Sequence, residues 1–371
     1  GATVFIDLDN NGVQGPDEAF VMTDAFGSFI FPGDTPDGPL VISGGIDIAT
    51  GQRFNGFMRS PPGSLFITPL TSLIQEILQT NPDIERSFAE NQVFSAFSLA
   101  PFNISTFDPI ARILDKSSSS EDQKNALLVQ SVSYQIVNFA SVGAALIENQ
   151  QGGNSGAVHV MAALAGEIVS ANFGKKIDLA NIELSTSVQI SALEKAGIIT
   201  DLTTEAELRT LTLLATQTAE ALSEINSLTA KTSANFSDGT LSSQVDALSN
   251  MAKLQSLAQG GLAGAIRDDT SKDLSSIAAN YSGAMLLDQA KGVRLGTLDG
   301  VIDASEGFAT DADAVAAAEV AAAEAAAEAA AAEAATEAAA EVAAAEAAAD
   351  AAVSNSPVLA LLSDTGISDN I

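Results

Sequence analysis

The stretch Thr3-Val4-Phe5-Ile6-Asp7-Leu8-Asp9-Asn10-Asn11-Gly12-Val13-Gln14-Gly15-Pro16-Asp17-Glu18-Ala19-Phe20-Val21-Met22 places a twelve-residue acidic loop between two short apolar runs. The loop, Asp7 to Glu18, fits the pattern D-x-[DN]-x-[DN]-G-x5-E throughout. Asp7, Asp9 and Asn11 offer side-chain oxygens, Gly12 permits a sharp turn, Val13 offers its carbonyl, and Glu18 closes the set with a carboxylate. Asp17 is a spare carboxylate, available to substitute for Glu18 or to approach through water. Ca2+ takes about six to eight hard oxygens, so this loop is expected to hold one structural Ca2+ of the weak extracellular class. Without a cation, Asp7, Asp9, Asp17 and Glu18 would repel one another; the competing reading is an Asx-rich turn with no ion. The flanks decide the scaffold. An EF-hand loop joins two helices, whereas this one joins strands, so the expectation is a calcium loop on a β domain.

Working outward, residues 1–68 are short apolar runs punctuated by Gly, Pro, Asn and Asp, including Gly27-Ser28-Phe29-Ile30-Phe31 and Leu40-Val41-Ile42, which reads as β-sheet. At Thr68-Pro69-Leu70 the texture changes: Thr68 is placed to cap a helix with Pro69 at its first position. Residues 69–293 then read as a helical bundle, with helices over Pro69–Gln79, Ile84–Phe97, Pro109–Leu114, Ser120–Glu148, Gly156–Asn172, Ser187–Ala196, Glu205–Lys231, Leu241–Ala263 and Asp273–Ala290. A linker follows at 294–310. Residues 311–353 are almost wholly Ala, with an acidic residue every four or five positions, so no heptad seam forms. A single helix there would be a rod of roughly 65 Å, acting either as a stalk or as a helix that packs on neighbours in an assembly. The fold class expected is therefore α+β: a small N-terminal β-sandwich-like domain, a large helical bundle and a long Ala/Glu helix.

Composition narrows the function. With 47 acidic against 16 basic residues the net charge is -31, a surface that repels nucleic acid and anionic lipid. The absence of cysteine removes disulfides, thiolate metal sites and thiol nucleophiles. Asn125 to Ile147 carries no charge, but Gln130, Ser131, Ser133, Gln135, Asn138 and Ser141 interrupt it, while Leu128, Val132, Ile136, Phe139 and Leu146 repeat at helical spacing. That pattern predicts a buried amphipathic helix and no membrane insertion. Gly1 opens inside a strand pattern without an initiator Met or a leader, so the chain is expected to be a processed or excised piece.

Gly1-Ala2-Thr3-Val4-Phe5-Ile6-Asp7-Leu8-Asp9-Asn10-Asn11-Gly12, followed by Glu18 and Thr23-Asp24-Ala25-Phe26-Gly27-Ser28-Phe29, resembles the calcium-binding β modules of bacterial surface proteins, the SdrD B-like and carboxypeptidase-regulatory-like sandwiches. Ile67-Thr68-Pro69-Leu70-Thr71-Ser72-Leu73 and Phe107-Asp108-Pro109-Ile110 are similar to segments of giant adhesin-like and matrix proteins of marine bacteria. The end of the chain, Ser363 to Ile371, resembles the start of an immunoglobulin-like repeat, which would make 354–371 the beginning of a further module. The resemblance implies an extracellular or cell-surface protein of adhesion or matrix, whose partners are copies of itself or other surface components, with no receptor indicated.

An enzyme is the weaker expectation. The single histidine, His159, falls inside a helical run, and no G-x-S-x-G, P-loop, dinucleotide fingerprint or H-E-x-x-H occurs. A carboxylate pair acting on a glycan is the remaining catalytic alternative. Phe20, Phe26, Phe29, Phe54 and Phe57 form either a recognition surface or, preferentially, ordinary β core. Were Gly1 to Phe5 an exposed edge strand, it would pair with a neighbouring subunit and make the chain a filament protomer.

Overall fold

Four short strands, β1 (Thr3–Ile6), β2 (Phe20–Met22), β3 (Leu40–Ser43) and β4 (Phe57–Ser60), form one antiparallel sheet in the order β2-β1-β3-β4. The computed structural model describes residues 1–295 apart from 34, 55, 153–155, 172, 235–239 and 272. The expected Ala/Glu rod at 311–353 and module start at 354–371 lie outside the described residues.

Val4, Phe5, Ile6, Leu40 and Val41 are buried in the sheet. Phe5 pairs with Phe20 on one side and Val41 on the other, and Val41 pairs with Arg59, so one row of side chains crosses all four strands and ends on a buried arginine. Helix α1 (Pro69–Thr80) packs against β4. Thr68 caps it as expected: its side chain accepts from Thr71 N–H, and Thr71 Oγ1 accepts from Thr68 N–H. The junction is polar. The Arg59 N–H donates to Ser72 Oγ at 2.9 Å, and the Arg59 carbonyl accepts from Thr71 Oγ1 at 3.0 Å.

Three expectations for this region are corrected. Among the described residues a single sheet is present, and a helix, not a second sheet, stands against β4. Gly27–Phe31 forms no strand: its start is drawn into a turn on Asp24, whose Oδ1 takes the Ser28 N–H and whose carbonyl takes the Gly27 N–H. The segment Thr3–Ile6 is interior: the calcium-loop pattern turns the chain back as β2 on one side and β3 covers the other, leaving β2 as the edge away from α1.

The bundle continues with α2 (Arg86–Ala96), α3 (Pro109–Leu114), α4 (Ser120–Gln151), α5 (Gly156–Ala171), α6 (Ile182–Lys195) and α7 (Glu205–Ala234). The 32-residue α4 is its axis, packing on α1, α3, α5, α6 and α7, and its uncharged run is buried as the polar interruptions predict. Among the described residues no helix is long and apolar enough to cross a membrane. The α4–α7 seam is polar at its centre: Asn138 Nδ2 donates to Asn226 Oδ1 at 3.1 Å, Asn226 Nδ2 donates to the Leu179 carbonyl at 3.0 Å, and Ser131 Oγ donates to the Thr229 carbonyl.

Of the later predicted helices, one carries a π-helical turn and one is split. The one expected over 241–263 runs as α8 (Leu241–Ser256), then a π-helical turn (Leu257–Leu262), then α9 (Ala263–Asp268). Gly260 and Gly261 hold the backbone least firmly to the α spacing, and Gln52 Nε2 and Asp47 bind Ser256 and Gln255 just before them. The one expected over 273–290 is α10 (Ser275–Asn280) and α11 (Gly283–Gly292), separated at Tyr281 and Ser282.

Candidate metal centre

Loop 7–18 is organised by its own carboxylates. Asp7, completely buried at the end of β1, accepts from Asn11 N–H through Oδ1 at 2.9 Å and from Gly12 N–H through Oδ2 at 2.8 Å. Two residues support this curl with positive φ, Asn10 at 59° and Gly12 at 76°, a region where glycine carries no Cβ penalty. Asp9 Oδ1 accepts from Asn11 N–H at 3.2 Å, and Asp9 Oδ2 accepts from Asn11 Nδ2 at 2.7 Å. Asn11 Oδ1 in turn accepts from Val13 N–H at 2.6 Å. Glu18 draws the far end of the loop back: Oε1 accepts from Leu8 N–H and Oε2 from Gly15 N–H, each at 2.7 Å.

The outcome is convergence of Asp7, Asp9 and Glu18, one oxygen of each lying within 4.8 Å of the others. Asn11 joins them through Asp9, and Val13 through Asn11. Asp17 is exposed and stands outside this trio, so of the two closing carboxylates it is Glu18 that faces Asp7 and Asp9. The donor set fits Ca2+: every side-chain atom it offers is oxygen, and each carboxylate oxygen has a second lone pair beyond the N–H it accepts. Asp7, Asp9 and Glu18 would hold the ion, and its charge would offset the repulsion among three gathered carboxylates; the Asn11 amide turns its Nδ2 to Asp9 and its Oδ1 to the Val13 N–H.

Sequence reasoning missed what lies behind the loop. Arg59, on β4, is fully buried, with Nη2 3.7 Å from Asp7 Oδ2 and Nη1 3.3 Å from Glu76 Oε1 on α1. Its Nη1 also donates to Gln79 Oε1. The same helix grips the loop directly, Gln75 Nε2 donating to Asn10 Oδ1 at 3.2 Å and Gln79 Nε2 to the Asn10 carbonyl at 3.1 Å. Burial pushes Asp7 up to about 6 despite the Arg59 charge and the two N–H donors, and the Glu18 charge adds to the rise. Glu76 is also raised by burial, opposed by Arg59 and Lys195. No sequence signal marked Arg59, beyond its being a cation inside a strand pattern.

The aromatic residues correct another expectation. Phe20 is 56 % and Phe26 70 % exposed, while Phe29 and Phe54 are half-buried, so these four are not the β core, which Val4, Phe5, Ile6, Leu40 and Val41 fill instead. Phe57 has no described side chain. His159 is buried in α5, and that burial, with the nearby Lys195 charge, lowers it to about 4, leaving a neutral imidazole at pH 7. No family model matches the chain, and no curated protein or solved structure shows a significant match to it.

Proposed function

We propose that the chain is a non-catalytic, calcium-stabilised structural segment of a secreted bacterial surface protein, acting in adhesion or in an extracellular matrix. The observation that carries this is the gathering of Asp7, Asp9 and Glu18 within 4.8 Å on a loop that α1 holds through Asn10. An ion there would stiffen the loop, and α1 would pass that stiffness from sheet to bundle. The net charge of -31 suits a protein surrounded by cations, and the loop with its flanks resembles the B-like modules of such surface proteins.

Calorimetric titration and thermal melting of the full chain test the reading. Millimolar Ca2+ should raise Tm, since a ligand that binds only the folded state stabilises it, and Mg2+ should do less. Asp9 is exposed, so Asp9→Ala should abolish the calcium-induced rise while leaving the calcium-free Tm nearly unchanged. A wild-type Tm indifferent to Ca2+ would sink the assignment.

A second reading, a protomer of an extracellular filament, has one observation in its favour: β2 is a sheet edge, and Phe20 and Met22 on it are 56 % and 48 % exposed. Another copy adding a strand there would bury both. Electron micrographs of the wild type and of Phe20→Lys/Met22→Lys separate the two: fibres lost in the variant favour the filament, and single particles in both favour the segment.

A further inference from the structure

The α4–α7 seam is closed where polar bonds cross it and open beyond them. Ser131 reaches Thr229 and Asn138 reaches Asn226, so the two helices run antiparallel, and the start of α4 stands beside the end of α7. There the α7 wall consists of short side chains, Ala230, Ser233 and Ala234, which do not fill the space up to α4. The result is a groove of about 360 Å3, within the size range of small-molecule sites.

The α4 wall holds bonding capacity that the fold does not use. Lys124, Leu128, Ser131 and Gln135 recur at three and four positions, so they share one face of that helix. Gln135, at the inner end, is only 7 % exposed. Its Nε2 donates to the Ser131 carbonyl and to Ser131 Oγ, each at 3.3 Å, while its Oε1 accepts no hydrogen bond among the described residues. A buried amide oxygen without a donor is costly, so a donor is expected from whatever enters the groove. At the outer end, the side chains of Lys124 and Asn125 make no hydrogen bond or ion pair among the described residues, although Glu121 lies one turn before Lys124. Between the two ends Leu128, 36 % exposed, forms an apolar patch with Ala230 and Ala234.

We propose that this groove binds a glycan end of two pyranose units bearing a single carboxylate. The carboxylate sits at Lys124, ring hydroxyls donate to Gln135 Oε1 and bond the Asn125 amide, and an apolar ring face lies on Leu128, Ala230 and Ala234. Lys124 and Gln135 stand three turns apart, roughly 16 Å along the axis, which favours two sugar units over one. The acceptor at Gln135 requires a ligand with donors, which hydroxyls supply and a simple anion lacks. One lysine lines the groove, and a net charge of -31 opposes any anionic ligand with more charge than that lysine neutralises. The site shares no residue with the Asp7–Glu18 loop and stands or falls apart from the calcium reading.

Saturation-transfer NMR on the full chain tests this with cellobiouronate, its neutral counterpart cellobiose, and acetate. Cellobiouronate should bind, cellobiose should bind about tenfold more weakly, and acetate should displace neither. Lys124→Gln, at an exposed position, should bring cellobiouronate down to the level of cellobiose and leave cellobiose unchanged. Ala234→Trp, also at an exposed position, should block both sugars, with a wild-type Tm showing that the fold is intact. No transfer to cellobiouronate up to about 50 mM, equal affinity for the two sugars, or displacement by acetate would each overturn the proposal. So would sugar binding unchanged in an Ala234→Trp variant that melts as the wild type does.

Discussion

Arg59 and Asp7 lie 3.7 Å apart with both side chains wholly excluded from solvent, and the same guanidinium reaches Glu76 on α1 at 3.3 Å. One buried cation thus stands between two buried carboxylates from different parts of the chain. Removing it leaves both without that partner, so Arg59→Met is expected to cost about 3–5 kcal/mol. Adding Glu76→Gln should recover part of that loss, because one stranded charge disappears. Urea unfolding of the two variants, in chelator, measures both effects; an Arg59→Met as stable as the wild type would mean the network contributes nothing.

Calcium affinity should depend on pH through Asp7. Burial raises its carboxyl to about 6, and a ligand must be ionised, so ion binding at the proposed site would release a proton below that value. The apparent affinity is expected to be constant above about pH 7 and to fall about tenfold per unit below about pH 5. Calorimetric titrations at three pH values would show it, and affinity independent of pH from 7 to 4.5 would remove Asp7 from the ligand set.

His159 should destabilise the fold in acid. Its folded pKa of about 4 lies below the ordinary 6.5, so the unfolded chain binds the proton more readily. The stability it contributes is complete above pH 6.5 and is lost as pH falls towards 4. Asp7, Asp47, Glu76 and Glu148 are raised by burial and act in the opposite sense, favouring the fold as they protonate. The difference between wild-type and His159→Leu melting curves isolates the histidine, and it should shift against the wild type across that window.

The first turn of α1 rests on the reciprocal bonds between Thr68 and Thr71. Thr68→Ala removes the side-chain acceptor and should cost about 1 kcal/mol. Thr68→Ser restores an acceptor and should retain most of the stability in the same denaturant series.

What was legible in the sequence was local. Thr68-Pro69 announced the start of α1, Asp108-Pro109 that of α3, and the Asp7–Glu18 spacing announced a loop whose carboxylates turn inward. Each signal lies within a few residues of its consequence. Arg59 carries no such signal: its burial follows from Asp7 and Glu76 arriving from 52 positions before it and 17 after it, a matter of tertiary assembly. The phenylalanines misled for the opposite reason. Alternation in a strand says which residues share a face, but not which face is covered, and β2 turned out to be an edge. The helix over 241–263 is continuous, and its π-helical turn left no mark in the sequence because such a turn keeps the apolar character of an α-helix and changes only its phase.

The amide pair Asn138 and Asn226, at the centre of the α4–α7 seam, bears on how the bundle finds its alignment. Apolar helices packed side by side can slide by one turn, about 5.4 Å, and still satisfy most of their contacts. Here a slide would separate the two amides, breaking the 3.1 Å bond between them and the 3.0 Å bond from Asn226 Nδ2 to the Leu179 carbonyl. The pair therefore works as a vernier mark, allowing two long helices to close in one register and penalising the misaligned pairings that a smoother interface would tolerate.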